Sequence, residues 1–229
     1  MSKQKKIDAK EFWEEKIIGW ETGRYSFSKN NRSSILEKIA NKSSNSLRRR
    51  LFLAGRLLAP FVEGKNVLEL GCGSGLLTPA IMSSGARSYL GLDIAPVALQ
   101  EARKRHKDAE WIKKVKYQAG GVGDVKGSDY DIVISLGLTD WLTDEELNKI
   151  FSLSPEAEFF HSFSENKNSL SQFIHKLYVN ISYGYKTGGY KPRYFSETEM
   201  EGYSKKFGRS GYFFRDRALK FGVFFSSLP

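Results

Sequence analysis

The chain has 229 residues, 40% of them hydrophobic and 27% charged, which suits one large globular domain and excludes a disordered chain. Its 36 Lys and Arg outnumber its 26 Asp and Glu, for a formal charge of +10 that points toward an anionic partner, nucleic acid or acidic substrate. A single cysteine, Cys72, excludes an internal disulfide and a metal site built from cysteines alone. No apolar run approaches the ~18 residues of a membrane-spanning helix, and the Lys-rich residues 1–10 lack the apolar stretch of a secretory leader, so a soluble cytoplasmic protein is expected.

In chain order, Asp8-Ala9-Lys10-Glu11 has capping-box spacing ahead of Phe12, Trp13, Ile17 and Ile18 and predicts a helix. Residues 19–45 are polar, with scattered Gly, Ser and Asn, and read as a loop with room for one short helix. Leu47, Leu51, Ala54, Leu57, Leu58 and Phe61 recur at helical spacing and predict an amphipathic helix ending near Gly64. Val67-Leu68-Glu69-Leu70 reads as a short buried strand running into a glycine-rich turn. A helix follows over about 76–84, a strand over 88–92, and a helix over about 96–107 with Pro96 in its first turn. Residues 115–119 form a weak strand and 131–135 a strong one. Thr143-Asp144-Glu145-Glu146 opens another helix, 158–162 is a fifth strand, and Ser196-Glu197-Thr198-Glu199 caps a helix ending near Gly208. Residues 212–214 and 219–225 make a terminal hairpin-like pair. Strands alternating with helices at this spacing predict an α/β fold, a mostly parallel sheet covered on both faces.

The basic excess is uneven. Residues 166–229 hold eleven Lys or Arg against four Asp or Glu, +7 of the +10, together with 15 of the 31 aromatics and seven of the eleven tyrosines. The clusters Arg48-Arg49-Arg50, Arg103-Lys104-Arg105 and Lys113-Lys114 read as solvated helix faces or loops.

Gly71, Gly73 and Gly75 stand at alternate positions directly after a buried strand, where the backbone must turn sharply and admit a ligand without Cβ atoms in the way. In an open parallel sheet the carboxyl end of such a strand is the default ligand crevice. Asp93 ends the second strand 18 residues beyond Gly75, where a carboxylate is able to accept both hydroxyls of a ribose. A dinucleotide site is the nearest rival, but its fingerprint is Gly-x-Gly-x-x-Gly. Here the spacing is Gly-x-Gly-x-Gly, and Glu69 two residues ahead would repel a phosphate and suit an ammonium or sulfonium.

Motif and context resemble the class I S-adenosylmethionine-dependent methyltransferases over about 67–165. The resemblance implies a Rossmann-like, seven-stranded, mostly parallel sheet with an antiparallel last strand and a small helical and loop cap. It divides the chain into an N-terminal helical cap segment, 1–45, and a methyltransferase domain, 46–229, with a substrate-cap insertion at about 166–195. It also implies that Gly71, Gly73 and Gly75 lie against the methionine part of S-adenosylmethionine with Glu69 near its amino group, and that Asp93 binds the ribose. Ile94 would pack on the adenine face and Asp124 would accept from the adenine amino group, the alternative for Asp124 being a loop carboxylate in solvent. The stretch Ser135 to Trp141, including Leu136, would pass beneath the methyl donor where substrate also enters.

For a hydroxyl acceptor a general base is required. His161, at the expected end of the fifth strand, is the first candidate, its alternative being a hydrogen-bonded structural histidine; Asp140 is the second, its alternative being a turn cap. His106 and His175 read as solvated on helix surfaces. The Asn/Asp-Pro-Pro-aromatic motif of many exocyclic-amine methylating enzymes does not follow the fourth strand, Cys72 lies inside the glycine turn, and the residues after strand five do not cluster acids for a metal. Tyr183, Tyr185, Tyr190 and Arg193 in the insertion, with Tyr25 from the N-terminal segment, are candidate acceptor contacts, since tyrosines beside cations stack on flat rings and pair with anionic groups. The expected acceptor is an anionic small molecule or saccharide, O-methylated; RNA methylation and cofactor binding without catalysis are the alternatives. Neither a metal nor an obligate protein partner is indicated.

Overall fold

The computed structural model describes residues 8–25, 35–126, 129–167, 169, 172, 176, 190–219 and 222–229. Helices α1 (Ala9–Tyr25) and α2 (Ile35–Leu58) precede an alternating series: β1 (Asn66–Leu70), α3 (Thr78–Ser83), β2 (Ser88–Asp93), α4 (Pro96–His106), β3 (Val115–Ala119), β4 (Ile132–Leu136), α5 (Asp144–Ser152) and β5 (Glu158–Ser164). Helix α6 (Glu197–Lys205) and strands β6 (Tyr212–Phe214) and β7 (Gly222–Ser226) complete the chain. The seven strands lie in the order β3-β2-β1-β4-β5-β7-β6. Strands β1 to β5 pair in parallel, and β7 inserts antiparallel between β5 and β6. This is the expected Rossmann-like sheet with its antiparallel last strand.

Alternation along the strands builds two cores, because successive side chains point to opposite faces. Val67, Tyr89, Ile132, Ile134, Phe160 and Phe224 face α2, α3 and α4, where Ala54, Leu58, Ile81, Leu99 and Ala102 are buried. Leu68, Leu70, Val133, Phe159, Phe163 and Phe225 face α5 and α6, covered by Leu147, Ile150, Phe151 and Met200. Two of the three capping boxes read from the sequence form as hydrogen bonds, Thr143 Oγ1 accepting from the Glu146 amide and Ser196 Oγ from the Glu199 amide, while Asp8 Oδ1 accepts from the Lys10 amide instead.

The N-terminal third departs from expectation. Helix α2 begins at Ile35 instead of near Leu47, crosses the expected 45/46 boundary without a break, and lies along α1. Its apolar second half nucleates a helix that the polar residues before it extend, since propagation costs far less than nucleation.

Arg209 is buried, its guanidinium donating to the carbonyls of Phe151 and Leu153 at 3.3 Å each and to that of Ala157, while stacking over Phe159 at 5.0 Å. It satisfies the end of α5 and the turn into β5 together. Arg209→Leu leaves three buried acceptors unmatched and is expected to cost about 2–4 kcal/mol, read as a shift in the chemical denaturation midpoint at unchanged m-value.

Candidate cofactor and acceptor site

The ends of β1, β2 and β4 converge on one crevice. After β1 the backbone takes φ of +68° at Gly71, +53° at Gly73 and +70° at Gly75, conformations in which a Cβ meets the backbone. A Cβ on Gly75 would sit 2.7 Å from Tyr117 Oη, 3.0 Å from His106 and 3.1 Å from Thr78 Oγ1; one on Gly71 would sit 3.2 Å from Leu138. The turn is therefore closed from behind, by a polar network, and from the side, by the loop after β4.

That network is buried. Tyr89 in β2 donates to Glu69 and lies in hydrogen-bond reach of Thr78; Tyr117 in β3 donates to Thr78 Oγ1 at 2.9 Å; His106 Nδ1 pairs with Tyr117 Oη at 2.7 Å. Burial, with the Glu69 charge adding to it, pushes the Tyr89 phenol well above its ordinary range. Arg105 in α4 donates to Ser74 Oγ at 2.6 Å and Ser74 O at 3.1 Å, holding the turn from its outer side. His106 thus differs from its expected solvated position: it closes the network at 5% exposure, and burial lowers its pKa. His175 lies outside the described residues.

Asp93 ends β2. Its Oδ2 accepts from the Gly73 amide at 2.8 Å and its Oδ1 from the Ala95 amide at 2.9 Å, so one carboxylate ties the glycine turn to the start of α4. Burial raises its pKa, opposed by those amides. Ile94 follows, half-buried. Asp124 lies in a turn beyond β3, exposed, with Oδ2 accepting from the Gly121 amide at 2.8 Å. Leu136, half-buried, ends β4.

The two candidate bases differ. His161 is the fourth residue of β5 rather than its end; it is 0% exposed, stacked on Phe159 and edge-on to Phe151, with Nδ1 2.9 Å from Ser135 Oγ and Nε2 buried without a partner. Desolvation, with the Arg209 charge, lowers its pKa to about 3. This corrects the expectation of a general base: β5 extends to Ser164, two residues beyond its predicted end, and the imidazole points into the core under α5 instead of into the crevice. Asp140 lies in the loop beyond β4. Its Oδ1 accepts from the Ser164 amide and its Oδ2 from Ser164 Oγ, both at 2.7 Å, and desolvation raises its pKa to about 6 against the pull of those bonds and of Arg50.

Beside Asp140, Trp141 joins an aromatic cluster assembled from distant parts of the chain. Phe12 and Trp13 of α1 lie 5.7 and 4.9 Å from the Trp141 ring; Tyr190 lies 5.1 Å from Trp141, and Trp13 Nε1 donates to Tyr190 Oη at 3.1 Å. Ile17 of α1 packs with Ala95 and Ala98 at the start of α4. Since Ala95 follows β2, Trp141 follows β4, and β1 lies between those strands, α1 spans the carboxyl edge of the sheet at the glycine turn.

Arg193, expected to face an acceptor, is engaged elsewhere: it pairs with Asp144 at 2.8 Å and donates to the Leu142 carbonyl at 2.9 Å. This is a correction, because both its ends serve to fasten residues 190–195 to α5. Tyr25 closes α1, and Tyr183 and Tyr185 lie outside the described residues. The Arg48-Arg49-Arg50 cluster is not a solvated face either: Arg49 pairs with Asp216 at 3.1 Å, and Arg50 is buried against Gly137. Helical spacing holds the missed signal, since Arg50, Ala54 and Leu58 stand four residues apart on one face of α2.

Gly75→Ala is expected to weaken S-adenosylhomocysteine binding by about tenfold by calorimetry, the αL cost of about 1–2 kcal/mol being compounded by Tyr117. Tyr89→Phe keeps the ring but removes the hydroxyl that donates to Glu69, and is expected to lower unfolding free energy by about 1–3 kcal/mol.

A family model for a methyltransferase domain matches residues 67–154. A ribosomal protein L11 methyltransferase of Deinococcus radiodurans is 32% identical over 79 residues, 32% of this chain and 29% of that protein; an uncharacterised Rickettsia prowazekii protein is 30% identical over 99 residues, 42% and 18% of the two. The chain thus matches under a third of the length of these curated relatives. Among solved structures, the magnesium protoporphyrin IX methyltransferase of Synechocystis PCC 6803 with bound SAH superposes at a TM-score of 0.69, with 16% identity and 95% and 96% of the two chains covered. A Bordetella parapertussis protein described as possibly exported superposes at 0.73, with 14% identity and coverage of 92% and 78%. The glycine turn and the acid closing β2 lie inside the stretch, residues 67–154, that matches the methyltransferase-domain model, and the strand order gives the chain the fold of the solved magnesium protoporphyrin IX methyltransferase.

Proposed function

We propose that the chain is an S-adenosylmethionine-dependent methyltransferase acting on a hydroxyl of a small-molecule or saccharide acceptor that carries an anionic group. The observation that carries this reading is Asp140, a buried carboxylate whose pKa of about 6 suits a general base near neutral pH, beside an aromatic cluster at the end of β4. The glycine turn fits the cofactor, since positive φ at Gly71, Gly73 and Gly75 bends the backbone sharply at the carboxyl end of β1, where Asp93 closes β2 beside it. When bound, the cofactor supplies a methyl group activated by a sulfonium.

In this reading Gly71, Gly73, Gly75 and Glu69 hold the methionine portion, Asp93 the ribose, and Ile94, Asp124 and Leu136 the remaining contacts. Each carboxylate oxygen of Asp140 keeps a second lone pair beyond its bond to Ser164, and one of these takes the proton of the acceptor hydroxyl. Phe12, Trp13, Trp141 and Tyr190 exclude water there and favour a flat ring or sugar face, with Tyr25, Tyr183 and Tyr185 completing the acceptor cap. A helix spanning the crevice suits a small acceptor better than an extended polynucleotide, which needs an open basic groove. The Deinococcus match covers 32% of this chain and 29% of that protein, so its acceptor is not carried over.

The test is a labelled-methyl screen of the purified protein against metabolite, glycan and RNA pools. Label is expected in small anionic hydroxyl compounds, at a rate that rises with pH through about 6 and then levels off, because only the ionised carboxylate accepts a proton. Asp140→Asn is expected to slow transfer by about 10²–10⁴-fold and abolish that rise. Label entering RNA instead, or a wild-type rate flat from pH 5 to 8, would sink the reading.

A further inference from the structure

The +10 charge suggests an anionic acceptor, yet several cations of the last third are committed within the protein. Arg193 pairs with Asp144, Arg215 with Glu165 and Glu197, and Lys205 with Glu201, while Arg209 serves three carbonyls. Arg50 is the exception near the crevice. It is 8% exposed, and its guanidinium makes no hydrogen bond or ion pair with any described residue. Guanidinium carries five N–H donors in a planar fork and remains charged at any physiological pH; the Arg50 nitrogens are not sealed from solvent, so their unshared donors are open to an anion.

The backbone is shaped around this group. Gly137 follows β4 at φ +74°, and a Cβ there would lie 2.6 Å from one terminal nitrogen of Arg50, 2.7 Å from the other and 2.9 Å from Cζ. Glycine is required both by the turn and by the flat guanidinium lying against it. Asp140, three residues on, feels the Arg50 charge but forms no salt bridge with it, so the fork is not spent on that carboxylate.

We propose that Arg50, seated on Gly137, is an acceptor-binding residue that takes a carboxylate or phosphate of the acceptor in its bidentate fork. This deepens and rests on the methyltransferase reading above. With the base at Asp140 and the anion at Arg50, the acceptor is a hydroxy acid or sugar acid whose reacting hydroxyl and anionic group lie a few bonds apart, and the pair selects charge and orientation together. Arg50 also explains why the anionic preference does not need the Arg193 side of the cap.

The experiment uses the full chain and two probe pairs. For the cofactor, binding of S-adenosylhomocysteine is compared with that of methylthioadenosine, which lacks the amino-acid portion. For the acceptor, methyl transfer is compared between hydroxybenzoate and hydroxybenzamide, and between glucuronate and glucose. The acids are expected to be accepted over their neutral counterparts. Arg50→Gln is expected to raise KM for the acid by about 10- to 100-fold, leave the amide unchanged and leave both nucleoside ligands bound as in the wild type. Arg50→Lys is expected to recover only part of the loss, a point charge lacking the fork. Gly137→Ala, which displaces the guanidinium without removing its charge, is expected to act in the same direction and serves if Arg50→Gln does not fold.

A loss of S-adenosylhomocysteine binding with methylthioadenosine unaffected would assign Arg50 to the cofactor carboxylate and overturn the proposal. Wild-type protein that methylates the neutral compounds as well as the acids, with Asp140-dependent pH behaviour intact, would also overturn it while leaving the methyltransferase reading standing. Failure of every hydroxyl compound, despite tight cofactor binding, would instead strike that reading first.

Discussion

Three glycines in left-handed conformation after a buried parallel strand are the constraint on which the rest of the site depends. A backbone bent that sharply exposes its amides to a ligand, but only if something holds the bend. Asp93 does so in front, by accepting from the Gly73 amide, and Tyr117, Thr78 and His106 do so behind, within contact of the space a Gly75 side chain would need. Arg105 adds a third tie through Ser74. The glycine turn and its scaffold are therefore one hydrogen-bonded body, and a change at Tyr89 or Tyr117 is felt at the turn.

The opposite wall is made differently. After β4 the chain turns at Gly137, carries Asp140 back onto Ser164 at the end of β5, and presents Trp141 to a helix more than a hundred residues away. Helix α1 contributes Phe12 and Trp13 on that side and Ile17 on the α4 side, so the N-terminal segment closes the crevice by packing at two places on either side of β1. Desolvation under this cover raises the Asp140 pKa. Beside it, the Arg50 guanidinium lies against Gly137 with donors that no described residue takes.

Strand and helix pattern were legible because parallel strands buried on both faces read as short apolar runs, and their helices as amphipathic periods. The strand expected over 115–119 forms there, and the others agree within two residues except β7, which starts later. Roles that depend on which way a side chain points were not legible. His161 shares a strand with residues at the crevice, yet mid-strand alternation sends it into the core beside Phe159. Arg193 lies in a basic, tyrosine-rich stretch, yet Asp144 takes its charge. Arg50 sits in a basic triplet whose helical face alone distinguishes it from Arg48 and Arg49.

By itself, then, the sequence determined the parallel sheet, the glycine turn, the acid closing the second strand and the family these imply, because each follows from local backbone geometry or from spacing within a few turns of chain. Only the tertiary structure decided which titratable groups reach the crevice. Charge and burial there arise from contacts between residues far apart in sequence: Arg50 with Gly137, Asp140 with Ser164, Trp13 with Tyr190. The net charge pointed to an anion, but contacts across the fold occupy several of the cations behind that inference, Arg193 and Arg215 among them, and leave Arg50 beside the crevice to carry it.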